Sequence, residues 1–213
     1  MRLLIIGATG RLGSLATDLA LAEGHEVVAL VRDPNRLPPR PGLTVVAGDV
    51  SDPEVVDRAV KQAGAVISAI GPRSNTVDAE LALEVGMRNL VAAMESHRVE
   101  RLVALSGAGV DVPGDRKPLV DRMMSSIVRR FARHVVAAKQ REYVVFSVSS
   151  VKWTALRPPL VRHGPSRGYR LDLQLAPGAR ISRADVARAL VDQVSDERFI
   201  RAAPFVLPKR PGS

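Results

Sequence analysis

A run of four apolar residues that ends in closely spaced glycines constrains this sequence more than any other feature. Residues 3–6 are all leucine or isoleucine, and such a run without polar alternation is typical of a strand buried on both faces of a parallel sheet. Gly7, Gly10 and Gly13 follow in the order G-x-x-G-x-x-G, and a helical pattern of apolar residues begins at once. Strand, glycine turn and helix start together predict a site for the phosphates of a dinucleotide.

Each glycine has its own expected role in such a site. Gly7 allows the tight turn, Gly10 lets the backbone approach the pyrophosphate, and Gly13 lets the helix pack close to the strand. Glycines in this order also occur in ordinary loops, but the strand before them and the helix after them favour the binding site. The predicted apolar face of that helix consists of Leu12, Leu15, Leu19 and Ala22.

The composition indicates a globular chain with one core. Its 213 residues, 46% of them hydrophobic, suffice for a single domain. The absence of cysteine excludes disulfides, thiolate metal sites and cysteine nucleophiles, and it fits the reducing cytoplasm in which we expect the protein. The N-terminal apolar run is too short for a secretory segment, and no apolar run approaches the roughly 20 residues of a membrane span. We expect no bound metal, and either a monomer or a homodimer.

The net charge of +9 arises from 31 lysines and arginines against 22 acidic residues. Such a balance can indicate nucleic acid or an anionic membrane as partner. Here most of the charge is spread along the chain, and aromatic residues make up only 3%, which leaves few platforms for stacking bases. The composition therefore argues against nucleic-acid binding, whereas an anionic cofactor would benefit from the positive field.

Apolar runs that alternate with helical patterns and short connections predict an α/β fold: one doubly wound parallel sheet of the Rossmann type. We expect this single domain to span residues 1–213, with a small C-terminal substrate region whose elements lie at about 111–134 and 159–181. A strand is also expected at 169–174, over the site. After the first strand at residues 3–6, we expect five more strands in the sheet, at residues 26–31, 43–47, 65–70, 101–105 and 152–156.

The end of the second strand bears on the choice of cofactor. An acidic residue there usually binds the ribose 2′-hydroxyl of NAD, but Arg32 occupies the position and Asp33 follows it. An arginine suits the 2′-phosphate of NADP(H), through its charge and its planar fork of donors, and Arg11 is placed to flank the same phosphate. Arg32 as an ordinary surface arginine is the alternative, and Asp33 keeps NAD(H) as the less favoured cofactor.

Two further strand ends are expected to line the cofactor, because ligands bind at the carboxyl ends of such strands. The turn of Gly48, Asp49 and Val50 brings a carboxylate within reach of the adenine amino group, although Asp49 is equally suited to capping the turn. Residues 69–71 follow the fourth strand directly.

Several short motifs carry a resemblance to a known family. They lie at residues 7–13, 31–34, 48–50, 105–110, 153–159 and 181–187. With these motifs, the sequence resembles the atypical short-chain dehydrogenases, in particular the NmrA-like proteins and the flavin reductase/biliverdin reductase B-like NAD(P)H-binding proteins. The resemblance covers nearly the whole chain, and its first and last two motifs are fairly specific together.

The resemblance implies NADP(H) in the cleft, with Ser106 near the nicotinamide and Pro158 and Leu160 beside its carboxamide. Lys139 stands where many relatives carry a lysine, fourteen residues before Trp153. We predict Ser106 and Lys139 as catalytic residues; the alternative is that Ser106 only ends a strand and Lys139 is solvated. The predicted cofactor-binding residues are Gly7, Thr9, Gly10, Arg11, Leu12, Gly13, Arg32, Asp49, Val50, Ala69, Ile70, Gly71, Ser106, Lys139, Pro158 and Leu160.

One departure from the short-chain dehydrogenase pattern decides the expected reaction. The usual Tyr-x-x-x-Lys pair is missing, since Ser147 stands four residues after Tyr143 and Leu173 four residues after Tyr169. Hydride transfer to a flavin, a quinone or a similar flat acceptor needs no strong protein acid, so we expect an NADPH-dependent oxidoreductase of this kind. The alternative is a non-catalytic NADP(H) sensor of the NmrA type, and a nucleotide-sugar epimerase is disfavoured by the missing pair.

Overall fold

The structure, a computed structural model, describes residues 1–115 and 133–209. In these residues, six parallel strands form a central sheet and four short strands form two ribbons. The strands are β1 (Arg2–Ile6), β2 (Glu26–Val31), β3 (Leu43–Ala47), β4 (Ala65–Ser68), β5 (Arg101–Leu105), β6 (Lys152–Leu156), β7 (Leu160–Arg162), β8 (Tyr169–Asp172), β9 (Arg180–Ser182) and β10 (Phe205–Pro208). The α-helices are α1 (Gly13–Ala22), α2 (Pro53–Val60), α3 (Val77–Ser96), α4 (Arg133–Ser147) and α5 (Arg183–Asp192).

The order of the central strands confirms the predicted doubly wound sheet. It runs β3-β2-β1-β4-β5-β6, and neighbouring strands are parallel. The chain first moves outward from β1 to β3 and then crosses back to β4, so the direction of winding reverses between β1 and β4. Ligands of open α/β sheets bind outside the carboxyl ends of the strands at such a point.

The sheet is buried on both faces, as the unbroken apolar runs predicted, except at the edge strand β3, whose residues are partly buried or exposed. In β1, Leu4 and Ile6 belong to the core shared with α2, α3 and α4. Leu3 and Ile5 belong to the opposite core, which is shared with α1 and α5. The observed bounds of β2, β3, β5 and β6 match the expected ones, whereas β4 ends at Ser68, so that residues 69 and 70 form the loop at its carboxyl end.

The side of α1 that lies closest to the sheet carries small residues. Gly13, Ala16 and Ala20 are buried there. The helix lies so close to the glycine turn that a Cβ atom at Gly13 would come within 2.0 Å of the Gly7 carbonyl oxygen. Of the predicted apolar face, Leu12, Leu15 and Leu19 are partly buried and pack against the core shared with α5, as expected, whereas Ala22 is exposed.

Side chains cap the N-termini of helices α2 and α5. The carboxylate of Asp52 accepts hydrogen bonds from the amides of Glu54 (3.0 Å) and Val55 (3.3 Å) at the start of α2. At the start of α5, the Ser182 hydroxyl accepts one from the Asp185 amide at 3.0 Å. These caps satisfy amide groups that would otherwise lack partners.

The C-terminal part of the chain adds the two ribbons. β7 pairs with β9 in parallel, and β8 pairs with β10 in antiparallel fashion. The strand expected at 169–174 ends at Asp172. Most of the predicted substrate-side element at about 111–134 lies outside the described residues, so the extent of the substrate region stays a prediction. Within the residues that the structure describes, no helix is long and apolar enough to cross a membrane.

Candidate cofactor-binding site

A cavity of about 560 Å³ opens at the carboxyl edge of the sheet, over the ends of β1, β2 and β4 and the turn after β3. This is the place expected from the reversal of strand order, and the volume is in the range of cofactor sites. Among its lining residues are seven of the predicted cofactor-binding residues: Gly7, Thr9, Arg32, Asp49, Val50, Ile70 and Gly71.

The glycine turn forms the floor of the site and has the predicted geometry. Gly7 has a φ of +88°, and a Cβ atom there would lie 2.8 Å from the Ala69 carbonyl oxygen, so only glycine fits. Gly10 closes the turn by donating from its amide to the Gly7 carbonyl at 2.9 Å. The first turn of α1 follows, and no side chain of the described residues caps its N-terminus. Its amide groups are thus placed to receive an anion.

Gly10 differs from Gly7 and Gly13 in the space that is available to a side chain. Apart from its chain neighbours, a Cβ atom at Gly10 would meet within 4 Å only the Gly7 carbonyl oxygen among the described residues, at 3.1 Å. The residue itself is exposed. The folded chain therefore tolerates a side chain here far better than at Gly13, and the open surface beside Gly10 fits the approach of a pyrophosphate.

Arginines surround the end of β2. Arg32 is exposed and lines the cavity. Arg36 donates from Nη2 to the Thr9 carbonyl at 3.4 Å, which brings a second guanidinium to the glycine turn. The Asp33 carboxylate accepts a hydrogen bond from the Asn35 amide at 3.1 Å and caps the short 3₁₀ turn at Pro34–Arg36. Arg36 was missed by sequence reasoning, because only the turn that Asp33 caps brings it back toward Thr9.

Asp49 pairs with Arg73, a cavity-lining residue that sequence reasoning missed. Its carboxylate also accepts hydrogen bonds from the Ser51 amide at 3.0 Å and the Ser51 hydroxyl at 2.8 Å, so the predicted turn-capping role is confirmed. Partial burial raises the pKa of Asp49, but the Ser51 hydrogen bonds and the charges of Arg73 and Arg32 outweigh it and hold the pKa below its usual value. The contact with adenine stays a prediction.

Lys139 is held inside the protein rather than solvated. Its ammonium donates to the carbonyls of Ile70 at 2.6 Å and Leu105 at 2.7 Å, and to the Glu142 carboxylate at 2.6 Å. The Lys139 side chain is 11% exposed and that of Glu142 only 2%. Burial raises the pKa of Glu142, although the Lys139 charge opposes this shift. With three partners, the ammonium ties α4 to the ends of β4 and β5.

Ser106 and Lys139 lie close together at the end of β5, because Lys139 binds the carbonyl of the residue before Ser106; their place beside the nicotinamide stays a prediction. The Ser106 amide donates to the Leu156 carbonyl at 2.8 Å. The Ser106 hydroxyl is buried and has no hydrogen-bond partner among the described residues. Sequence reasoning had no means of distinguishing this hydroxyl from an ordinary one at a strand end.

The remaining predicted residues lie outside the cavity lining but at the same edge of the sheet. The Pro158 carbonyl accepts a hydrogen bond from the Ala108 amide at 3.3 Å, which joins the segment after β6 to the loop after β5. Leu160 begins β7. The predicted residues not among those that line the cavity are Gly10, Arg11, Leu12, Gly13, Ala69, Ser106, Lys139, Pro158 and Leu160.

Both tyrosines of the chain lie in surroundings that make them weak acids. Tyr143 packs edge-on against Phe146 and Trp153, at centroid distances of 5.6 and 5.7 Å, and burial raises its pKa. The Tyr169 hydroxyl donates to the Asp192 carboxylate at 2.7 Å, and burial together with this bond raises its pKa far above the usual value. Over residues 1–115 and 133–209, no cluster of three or more His, Asp or Glu side chains forms a metal site.

Comparison with known proteins gives a family match over most of the chain. A sequence profile of proteins described as NAD(P)H-binding matches residues 7–197. Phenylcoumaran benzylic ether reductase TP7 from Nicotiana tabacum is 25% identical over 226 aligned positions, which cover 98% of this chain and 69% of that protein. Photosystem II assembly factor Ycf39 from Synechocystis sp. is 32% identical over 114 residues, which cover 50% of this chain and 33% of that protein. The chain thus spans about a third of the assembly factor.

A solved structure supports the fold over the full chain. A short-chain dehydrogenase/reductase from Veillonella parvula, determined in complex with NADP, matches with a TM-score of 0.78 and 22% identity. The match covers 99% of this chain and 95% of the other. At this identity the likeness establishes the fold, and it confirms the Rossmann-type architecture read from the sheet order.

Proposed function

Because this chain belongs to the NAD(P)H-binding family, whose profile covers residues 7–197, we propose that it is an NADPH-dependent oxidoreductase with a flat, conjugated acceptor such as a flavin, a quinone or a tetrapyrrole. Bound NADPH would supply a hydride, that is, two electrons and one proton, and the second proton would come from water. The proposal rests on the two tyrosines, Tyr143 and Tyr169. Neither is followed by a lysine four residues later, and the pKa of each hydroxyl is raised.

The preference for NADPH over NADH rests on the charges around the end of β2. Arg32 lines the cavity, and Arg36 contacts the glycine turn, so two guanidinium groups are placed for a 2′-phosphate. Asp33, the residue that would otherwise bind a ribose hydroxyl, is engaged with the Asn35 amide. Guanidinium–phosphate pairs are strong and directional, and this arrangement favours NADPH.

At the nicotinamide end, Ser106 and Lys139 have different roles in the proposal. The Ser106 hydroxyl has no partner in the described residues, so it is available to the nicotinamide carboxamide or to the acceptor. Lys139 already donates to three oxygen atoms. It fixes the ends of β4 and β5 and places a positive charge near the ring, whereas a bond to the ribose would require it to exchange one of these partners.

The experiment that tests the proposal follows the absorbance of NADPH at 340 nm with riboflavin, FMN, menadione and a tetrapyrrole as acceptors. We expect NADPH oxidation with at least one acceptor, and slower oxidation of NADH at equal concentration. The matched control is Gly10→Val, which should retain the fold and lose the reaction. If the protein binds NADPH but oxidises it with none of these acceptors, the proposed activity is contradicted.

The second candidate function is a non-catalytic sensor of the NADPH/NADP⁺ ratio. The relative described as a photosystem II assembly factor favours it, as does the full engagement of the Lys139 ammonium. A sensor would bind NADPH and NADP⁺ with different affinities and change a surface in response. Tight binding of both without turnover is the result that distinguishes it from the reductase.

A further inference from the structure

We infer that the acceptor of this protein carries an anionic group, which Arg162 and Arg180 bind beside the nicotinamide end of the site. This inference rests on the proposed reductase function and specifies its substrate class. Arg162 ends β7 and Arg180 begins β9. Neither residue belongs to the cavity already described.

The register of the two strands places both arginines on one face. Leu160 pairs with Arg180, and Arg162 pairs with Ser182. Paired residues in neighbouring strands lie on the same face, and side chains two residues apart in a strand do so as well. Val161 and Ile181, the residues between them, pack into the core shared with α1 and α5. Leu160, Arg162 and Arg180 therefore point away from that core.

Two contacts hold this face next to the loop that contains Ser106. On the β7 side, the Ala108 amide donates to the Pro158 carbonyl at 3.3 Å, two residues before Leu160. On the β9 side, Ala179 and Ala108 pack against the same small cluster of Leu175, Phe205 and Leu207. Both strands of the ribbon thus start beside the loop after β5, where the nicotinamide end is proposed.

The two guanidinium groups have no acidic partner in the described residues, unlike those of Arg170 and Arg188. Arg170 on β8 pairs with Asp172, and Arg188 on α5 pairs with Glu23 and Asp192. In the described parts of the chain, Arg162 and Arg180 make no side-chain hydrogen bond and no ion pair, and both are exposed. Their charge is therefore available to a ligand.

The chemistry of this face matches a flat ring that bears an acidic substituent. Leu160 is 53% exposed, which is high for a large apolar side chain, and it is a neighbour of both arginines on this face: it pairs with Arg180 and stands two residues before Arg162. A conjugated ring can cover Leu160 while its phosphate, carboxylate or sulfonate binds the guanidinium groups. A neutral ring of the same shape would make only the apolar contact.

The test compares acceptors that share a ring and differ in charge. FMN and riboflavin share the isoalloxazine ring, and a sulfonated naphthoquinone compared with menadione gives a second pair with a different anion. In the wild type we expect a KM at least about threefold lower for each anionic member. Replacing both arginines (Arg162→Gln with Arg180→Gln) should remove that difference and leave the KM values for riboflavin and NADPH unchanged. Arg58→Gln, an exposed arginine on α2, is the matched control and should keep the difference.

The possible outcomes separate this inference from the proposed function. Equal KM values for FMN and riboflavin in an active wild-type protein would contradict the proposed anion site but would leave the proposed reductase function supported. If no acceptor is reduced, the binding of FMN and of riboflavin is compared instead, by the quenching of flavin fluorescence in the NADP⁺-loaded protein. Tighter binding of FMN than of riboflavin, lost in the double variant and kept in Arg58→Gln, supports the anion site. Equal binding of the two flavins, or a preference for FMN that survives in the double variant, overturns it.

Discussion

The Lys139 ammonium donates a hydrogen bond to the carbonyl of Ile70 at 2.6 Å, and Ile70 lines the cavity at the end of β4. These two residues are 69 positions apart in the chain. The same ammonium binds Leu105 at the end of β5 and Glu142 on its own helix. One largely buried side chain thus joins the ends of β4 and β5, next to the cavity.

Replacing Lys139 by methionine should destabilise the fold strongly. Methionine fills a similar volume but leaves the buried Glu142 carboxylate without its partner, and breaking a buried ion pair in this way costs about 3–5 kcal/mol. Denaturant unfolding of Lys139→Met should show this loss, and Lys139→Met combined with Glu142→Leu should recover much of it. A single variant as stable as the wild type would contradict the role assigned to the lysine.

The Asp49–Arg73 pair predicts an acid-dependent contribution to stability. Because the pKa of Asp49 is lowered in the folded state, its contribution is present above the ordinary carboxyl pKa of about 3.9 and is lost as the pH falls through the lowered value. Arg73→Gln should raise the pKa of Asp49 toward the ordinary value. Carboxyl NMR titration of both proteins measures the shift, and an unchanged pKa would show that Arg73 has no influence on Asp49.

Sequence reasoning predicted the sheet better than the contacts of the site. The apolar runs identified β1 to β6 because a strand buried on both faces has no polar alternation, and the glycine spacing located the turn. The leucine face of α1 and the close packing at Gly13 were predicted as well, whereas Ala16 and Ala20, which are buried beside the sheet, were not named because the leucines are the stronger hydrophobic signal. The pairing of Arg73 with Asp49 joins positions 24 residues apart, and it depends on how two loops meet, which no local pattern encodes.

Gly10 and Gly13 should respond to substitution in opposite ways. Apart from its chain neighbours, a Cβ atom at Gly10 would meet one atom of the described residues within 4 Å, the Gly7 carbonyl oxygen at 3.1 Å, whereas a Cβ atom at Gly13 would come within 2.0 Å of the same oxygen. We expect Gly10→Val to keep its melting temperature and lose NADPH binding, and Gly13→Val to unfold at lower temperature with or without NADPH. Calorimetry and NADPH titration of both variants test this pair. Wild-type affinity for NADPH in folded Gly10→Val would rule out the proposed position of the pyrophosphate.

Ser106→Ala should reduce turnover without reducing stability. The hydroxyl has no partner in the described residues, so its removal breaks no hydrogen bond within that part of the chain. A bond to the nicotinamide carboxamide or to the acceptor contributes about 0.5–1.5 kcal/mol, so we expect turnover to fall by about two- to tenfold. Steady-state kinetics and thermal unfolding are measured together on the variant. Full activity would place the nicotinamide away from Ser106.

The most direct test of the account is titration of the wild type and of Arg32→Ala with NADPH and NADH. A charge-assisted bond to the 2′-phosphate contributes about 1.5–3 kcal/mol, which corresponds to about 10- to 150-fold in affinity. If Arg36 shares the phosphate, the single variant will fall at the lower end of this range. The account predicts that the wild type prefers NADPH, and that Arg32→Ala loses affinity for NADPH by such a factor while its affinity for NADH stays nearly unchanged. A wild type that binds NADH as tightly as NADPH, or a variant that loses both equally, would contradict it.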